Sequence, residues 1–190
     1  MDGRTLLRME TMSGSWDEYF ITLADHVASK SKDPSTKCGA VIVNEDNIVL
    51  ATGFNGFARG VREEQQTMRV NPQFVVGDPS MRNDEPMRII ETKLDEKRWQ
   101  RPQKYWYVEH AERNAIYAAA RCGHALESCK IYVNQSIVCC DCARGIIQTG
   151  IKTVCCTDKK WSGSPESTFE EQKKITREMF VEAGIVTRYV

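Results

Sequence analysis

Apolar residues recur at Trp16, Phe20, Leu23, Ala24 and Val27, the three- and four-residue spacing of one helical face, and Ser15-Trp16-Asp17-Glu18 ahead of them has the form of a capping box. The spacing predicts a helix from about 15 to 30. Beyond it the period changes. "AVIVN" and "NIVLATGF", both rich in β-branched residues, flank the turn-forming Glu45-Asp46-Asn47, which predicts a β-hairpin. The alanine-rich "HAERNAIYAAARC", His110 to Cys122, reads as a helix with Gly123 placed as its C-cap. There follow a strand in "KIYVN", a helix from Cys139 to Thr149 closed by Gly150, and a strand in "KTVCCT". A helix capped by Ser167-x-x-Glu170 then runs to Ala183 and closes at Gly184, before a final strand in "IVTRYV". The order αββ, then αβαβαβ, predicts an α/β fold with a mixed sheet sandwiched between helices.

The stretch from Val61 to Val108 breaks this alternation, being mostly polar and carrying Pro72, Pro79, Pro86 and Pro102. A structureless loop of that length sits badly inside a compact domain, so 61–108 is read as an insertion into a single domain spanning 1–190. Within it, Met87, Ile90, Leu94 and Trp99 are spaced for one amphipathic helix.

Composition narrows the partners. Lys+Arg 26 against Asp+Glu 26 gives a net charge of +0, so the chain lacks the broad basic field of proteins that track a nucleic-acid backbone. A small substrate is the expectation, with nucleic acid unlikely. No run approaches the ~18 apolar residues of a membrane span, and the first residues do not read as a secretory leader, so a cytoplasmic protein is expected. The 8 cysteines cluster at 122, 129, 139, 140, 142, 155 and 156, with Cys38 apart. In a chain that does not look secreted, they read as free thiols plus a metal site.

The metal site has a specific form. His110, with Cys139 and Cys142 at C-x-x-C spacing, supplies three N/S ligands, the number a catalytic zinc takes while keeping its last tetrahedral position open. Glu112 follows the histidine at the same helix start, placed to handle protons without binding the metal. Both cysteines sit at the first turn of their helix, where unpaired amides and the helix dipole favour thiolates. H-x-E with P-C-x-x-C is the signature of zinc deaminases, in which Zn2+ activates a water and the glutamate moves the protons.

On these residues the chain resembles the cytidine and deoxycytidylate deaminase superfamily, and most closely its deoxycytidylate (dCMP) deaminase branch. The resemblance lies in "SKDPSTKCGAVIVN", "ATGFNGFARG", "EHAERNAI", "KIYVN", "CDCARGIIQTGIKTV" and "AGIVTRYV". It implies an αβα sandwich with a five-stranded mixed sheet, a bound zinc and hydrolysis of dCMP to dUMP. It further implies that Asn55 and Gly56 hold sugar and base, that the backbone N–H of Ala111 meets the base carbonyl, and that Trp161 stands at the pocket rim. Arg121 falls where relatives place subunit contacts and effector sites, and many relatives are homohexamers activated by dCTP and inhibited by dTTP. The chain departs from the pattern at Val138, where relatives have proline before the first cysteine. With no Cys or His between Cys38 and His110, a second zinc of the kind some relatives carry on the insertion is not expected.

Other readings stand beside this one. A closed structural zinc would need a fourth ligand, from Cys140 or elsewhere. The substrate could be a 5-modified dCMP, dCTP, a nucleoside or a nucleic-acid base, and the pocket could bind nucleotides without turning them over. Lys30, Lys32, Lys37, Arg59 and Lys104 are phosphate candidates by charge. Cys140, Cys155 and Cys156 read as buried small apolar residues, and His26 and His124 as ordinary surface or packing residues. Tyr105-Trp106-Tyr107 either roofs the pocket or is buried as the lead-in to the helix.

Overall fold

The computed structural model describes residues 14–61, 67–70, 88–91, 96–158 and 166–190. The first helix, α1, spans Trp16–Ala28 and begins as its sequence dictates: Ser15 Oγ accepts from the Glu18 N–H, and the Glu18 carboxylate accepts from the Ser15 N–H at 2.8 Å. Strands β1 (Gly39–Val43) and β2 (Val49–Phe54) form the predicted hairpin, paired antiparallel from Gly39↔Phe54 to Val43↔Val49. After the short strand β3 (Gly56–Phe57) come β4 (Thr67–Val70), β5 (Arg88–Glu91), a 3₁₀ turn at Glu96–Trp99, the one-turn helix α2 (Lys104–Tyr107) and β6 (Val108–Glu109). The remainder alternates: α3 (Ala111–Cys122), β7 (Lys130–Val133), α4 (Cys140–Gln148), β8 (Thr153–Cys156), α5 (Glu166–Glu182) and β9 (Val186–Tyr189).

Five strands make the central sheet in the order β2-β1-β7-β8-β9, antiparallel at β2/β1 and β1/β7 and parallel at β7/β8 and β8/β9. The sheet is therefore mixed, as expected. Alternate residues of each strand divide the core into two layers. Val41, Val43, Tyr132 and Cys155 face α1, packing on Phe20, Ile21 and Ala24. Ala40, Ile42, Ile131, Val133, Val154 and Cys156 face the other way, with Ala115 of α3, Ile146 of α4 and Phe180 of α5. Helices cover both faces, which is the αβα sandwich. Cys155 and Cys156 are wholly buried, as small apolar residues would be, whereas Cys140 is only half-buried and His26 and His124 are exposed.

Two close backbone approaches set the helix positions. A Cβ at Gly53 of β2 would overlap the Ala111 carbonyl oxygen and the Ala115 amide nitrogen of α3, and one at Gly39 of β1 would overlap the Ala24 carbonyl oxygen of α1. Glycine is the residue that lets a main chain come this near.

Two expectations need correction. The stretch read as an amphipathic helix from Met87 to Trp99 holds a strand instead: Arg88–Glu91 pairs antiparallel with Thr67–Val70, and Glu96–Trp99 makes a single 3₁₀ turn, while Met87 and Leu94 lie outside the described residues. Adjacent β-branched Ile89 and Ile90 suit an extended chain, and a paired strand satisfies their backbone groups without helical periodicity. The C-terminal helix begins at Glu166, so Ser167 lies inside its first turn and is not its N-cap.

Candidate active site

α3 and α4 start without a side-chain cap. Their N-cap residues, His110 (φ −78°, ψ 155°) and Cys139 (φ −70°, ψ 163°), are extended, and neither side chain makes an N-capping hydrogen bond. They turn towards each other. Cys139 Sγ and Cys142 Sγ each lie 3.4 Å from His110 Nδ1, and the three ligand atoms fall within 4.8 Å of one another. Two ligands at zinc–sulfur and zinc–nitrogen lengths subtend ~3.6 Å across a tetrahedral angle, so the donor set fits one zinc ion. Among the described residues no fourth His, Cys, Asp or Glu joins this group, which leaves it with the three ligands of a catalytic site.

The three ligand groups shift one another's protonation. Burial disfavours the His110 imidazolium, but the hydrogen bond to Cys139 and the charges of Glu112 and Cys139 outweigh it and lift the imidazole to about 9. Cys139 falls to about 4, first through its hydrogen bond with Cys142 and then, against burial, through His110. Cys142 is pushed up by that same bond and by burial. Glu112, in the first turn of α3, is 6 % exposed, and burial is the main force raising its carboxyl, with His110 opposing. A carboxyl raised in this way holds a proton more readily than an exposed one, as a group that both takes and returns protons must.

These groups open into a cavity of about 510 Å³, a volume typical of small-molecule sites. His110, Ala111, Glu112 and Cys139 line it together with Asn55, so the structure brings together most of the residues singled out in the sequence. Asn55 is held firmly. Its Oδ1 accepts from the Cys38 N–H at 2.7 Å, and its Nδ2 donates to Asp33 Oδ2 and to the Thr36 carbonyl, each at 2.9 Å. Gly56 does not line the cavity; it pairs with Glu109, next to the histidine. Arg121 is exposed near the end of α3 and also lies off the cavity lining, and Trp161 lies outside the described residues. Of the phosphate candidates only Lys104 reaches the cavity; Lys30, Lys32, Lys37 and Arg59 are exposed and do not line it. Tyr105 lines it as well, whereas Trp106 is 83 % exposed and the half-buried Tyr107 packs on Phe57.

Three features went unseen in the sequence. Lys104 Nζ reaches back across the chain to Asp33 Oδ2 and Ser35 Oγ, each at 2.6 Å, and Asp33 Oδ1 accepts from Ser35 and Thr36. Burial works against the Asp33 carboxylate, but Lys104 and these donors outweigh it and hold its pKa below the ordinary value. Ser136 lines the cavity with a buried hydroxyl that has no partner among the described residues. Val138, the residue in place of proline, is buried, and its carbonyl accepts from Thr176 Oγ1 of α5 at 3.1 Å, an anchor for the cysteine loop that the sequence did not reveal.

The model of the cytidine and deoxycytidylate deaminase zinc-binding region matches residues 14–158. Human deoxycytidylate deaminase is 34% identical over 173 residues, 91% of this chain and 78% of the human protein. A deaminase of Aliivibrio fischeri is 34% identical over 92% of both chains. Among solved structures, the dCMP deaminase of cyanophage S-TIM5 in complex with dCMP and dUMP shares the fold, with a TM-score of 0.59 at 18% identity over 91% of this chain and 95% of that one.

Proposed function

We propose, from the premise that this chain belongs to the cytidine and deoxycytidylate deaminase family, that its cavity hydrolyses dCMP to dUMP with release of ammonia. The single observation that carries this reading is the convergence of His110 Nδ1 with two sulfurs at 3.4 Å beside a buried glutamate. Zinc, when bound by His110, Cys139 and Cys142, supplies a Lewis acid that makes water nucleophilic near neutral pH. The remaining work belongs to side chains and backbone. Glu112 takes one proton from the attacking water and passes it to the ring nitrogen beside C4, then takes the second from the hydroxyl newly bonded to C4 and gives it to the amine, which leaves as ammonia while the C4 carbonyl forms. Ala111, first residue of α3, carries an N–H with no intrahelical acceptor, suited to the base carbonyl.

Asn55 is read as the sugar side of the site. Both Nδ2 hydrogens are used within the chain, so a sugar hydroxyl would donate to the second lone pair of Oδ1. Gly56 supports the same wall through its pairing with Glu109. That pairing also supports reading 1–190 as one deaminase domain with 61–108 inserted, since the chain that leaves at β3 comes back beside it at β6. We read the protein as cytoplasmic and homo-oligomeric, a hexamer with dCTP and dTTP as effectors; Arg121, exposed near the end of α3, is available to a subunit or an effector, and no described helix is long and apolar enough to cross a membrane.

The test is ammonia release from dCMP, deoxycytidine, dCTP, their 5-methyl forms and a short single strand, with and without a zinc chelator. Chelator-sensitive turnover of dCMP supports the reading. Silence on every cytosine substrate by zinc-loaded protein would overturn it.

A further inference from the structure

We infer that Arg101, at the edge of the insertion, is the side chain that recognises the substrate's 5′-phosphate, an inference that rests on the nucleotide reading above and narrows it. Three ion pairs account for the other basic side chains of the cavity wall and, apart from Glu112, for its carboxylates. Lys104 is held by Asp33, Arg113 by Glu109, and Asp141 by Arg144, so each of these pairs is close to neutral. The metal triad is formally neutral too, once two thiolates face a divalent ion. Arg101 is the remaining cation of the lining, and it has no carboxylate partner among the described residues. Its guanidinium lies 5.9 Å from the ring centre of Tyr105, itself a lining residue. An aromatic face beneath the guanidinium orients it while leaving its N–H groups free.

The segment bearing Arg101 is anchored well enough to serve. Trp99 stacks on Phe57 at 4.3 Å, Arg98 lies over Tyr107 at 4.6 Å, and Lys104 is locked onto Asp33. Lys104 also shields an incoming dianion from the Asp33 carboxylate, which would otherwise repel it. A planar guanidinium matches a phosphate through two parallel hydrogen bonds, whereas the buried ammonium of Lys104 is already committed. Recognition of this kind binds ground state and transition state alike, so its loss falls on KM more than on kcat.

The experiment compares zinc-loaded wild-type protein, Arg101→Ala, Arg101→Lys and, as an exposed control off the lining, Arg59→Ala. Calorimetry measures binding of dUMP and of deoxyuridine, and kinetics give kcat and KM for dCMP and deoxycytidine. Arg101→Ala is expected to weaken dUMP about ten- to a hundredfold, the worth of hydrogen bonds to a charged group, while leaving deoxyuridine unchanged. Arg101→Lys should recover part of the loss, and Arg59→Ala should change nothing. Because Arg101 is exposed, the variants should keep the wild-type unfolding temperature. Survival of the dUMP preference in Arg101→Ala, absence of any preference in wild type, or equal loss on both ligands overturns the inference. Failure to deaminate dCMP would overturn the deaminase reading, while the binding comparison still judges Arg101.

Discussion

Two buried polar clusters share one cavity and solve opposite problems. Around Asp33 the chain closes its own accounts of donors and acceptors: the carboxylate meets Lys104, Asn55, Ser35 and Thr36, and Asn55 in turn meets Cys38 and Thr36. Around His110 three donor atoms of metal-ligand type converge within 4.8 Å of one another. The contrast separates a frame from a site. A buried network satisfied from within holds shape, and a convergent set of metal-ligand groups offers a place to bind.

Removing a ligand should break the second cluster completely. Cys142→Ser is expected to lose zinc to a mild chelator and activity with it, read by metal analysis beside ammonia release. The protonation pattern sharpens this point: at pH 7 His110 and Cys142 hold protons in the metal-free protein, so adding zinc to it should release about two, measurable by titration in weak buffer. Next in size, Glu112→Gln should lower kcat by roughly 10²- to 10⁴-fold while zinc content stays unchanged, because the carboxyl moves protons and binds no metal.

The frame should fail through stability instead. Lys104→Met leaves the Asp33 carboxylate buried without its cation and should cost about 3 kcal/mol, read by denaturant unfolding. Asp33 has a folded-state pKa below its unfolded one, so its contribution is present above the ordinary carboxylate range and lost as pH falls through it. Lys104→Met should flatten that acid slope. The smallest effect belongs to Thr176→Val, which strips the Val138 carbonyl of its partner and should cost about 1–2 kcal/mol, with a lowered zinc affinity showing that the anchor supports the cysteine loop.

How much of this could be read from the residues follows the same division. The capping box of α1, the hairpin around Glu45-Asp46-Asn47 and the alanine-rich α3 are written in residues a few positions apart, and they stand where expected. The metal triad was legible although His110 and Cys142 are 32 positions apart, because its spacing is peculiar to one chemistry. The Asp33 cluster has no such mark. Ser35 and Lys104 are 69 positions apart and each looks like an ordinary polar residue until the fold joins them. Ile89 and Ile90 misled for a related reason, since a strand's partner, here Met68 and Arg69, is invisible in the strand's own period.

One contact bears on how such a centre survives change elsewhere. Because Gly53 lets β2 lie directly against the first turns of α3, the helix start that carries His110 is seated on the backbone of the sheet. Even a methyl group added at that one seam would overlap the α3 backbone and pry the helix start away from the sulfurs.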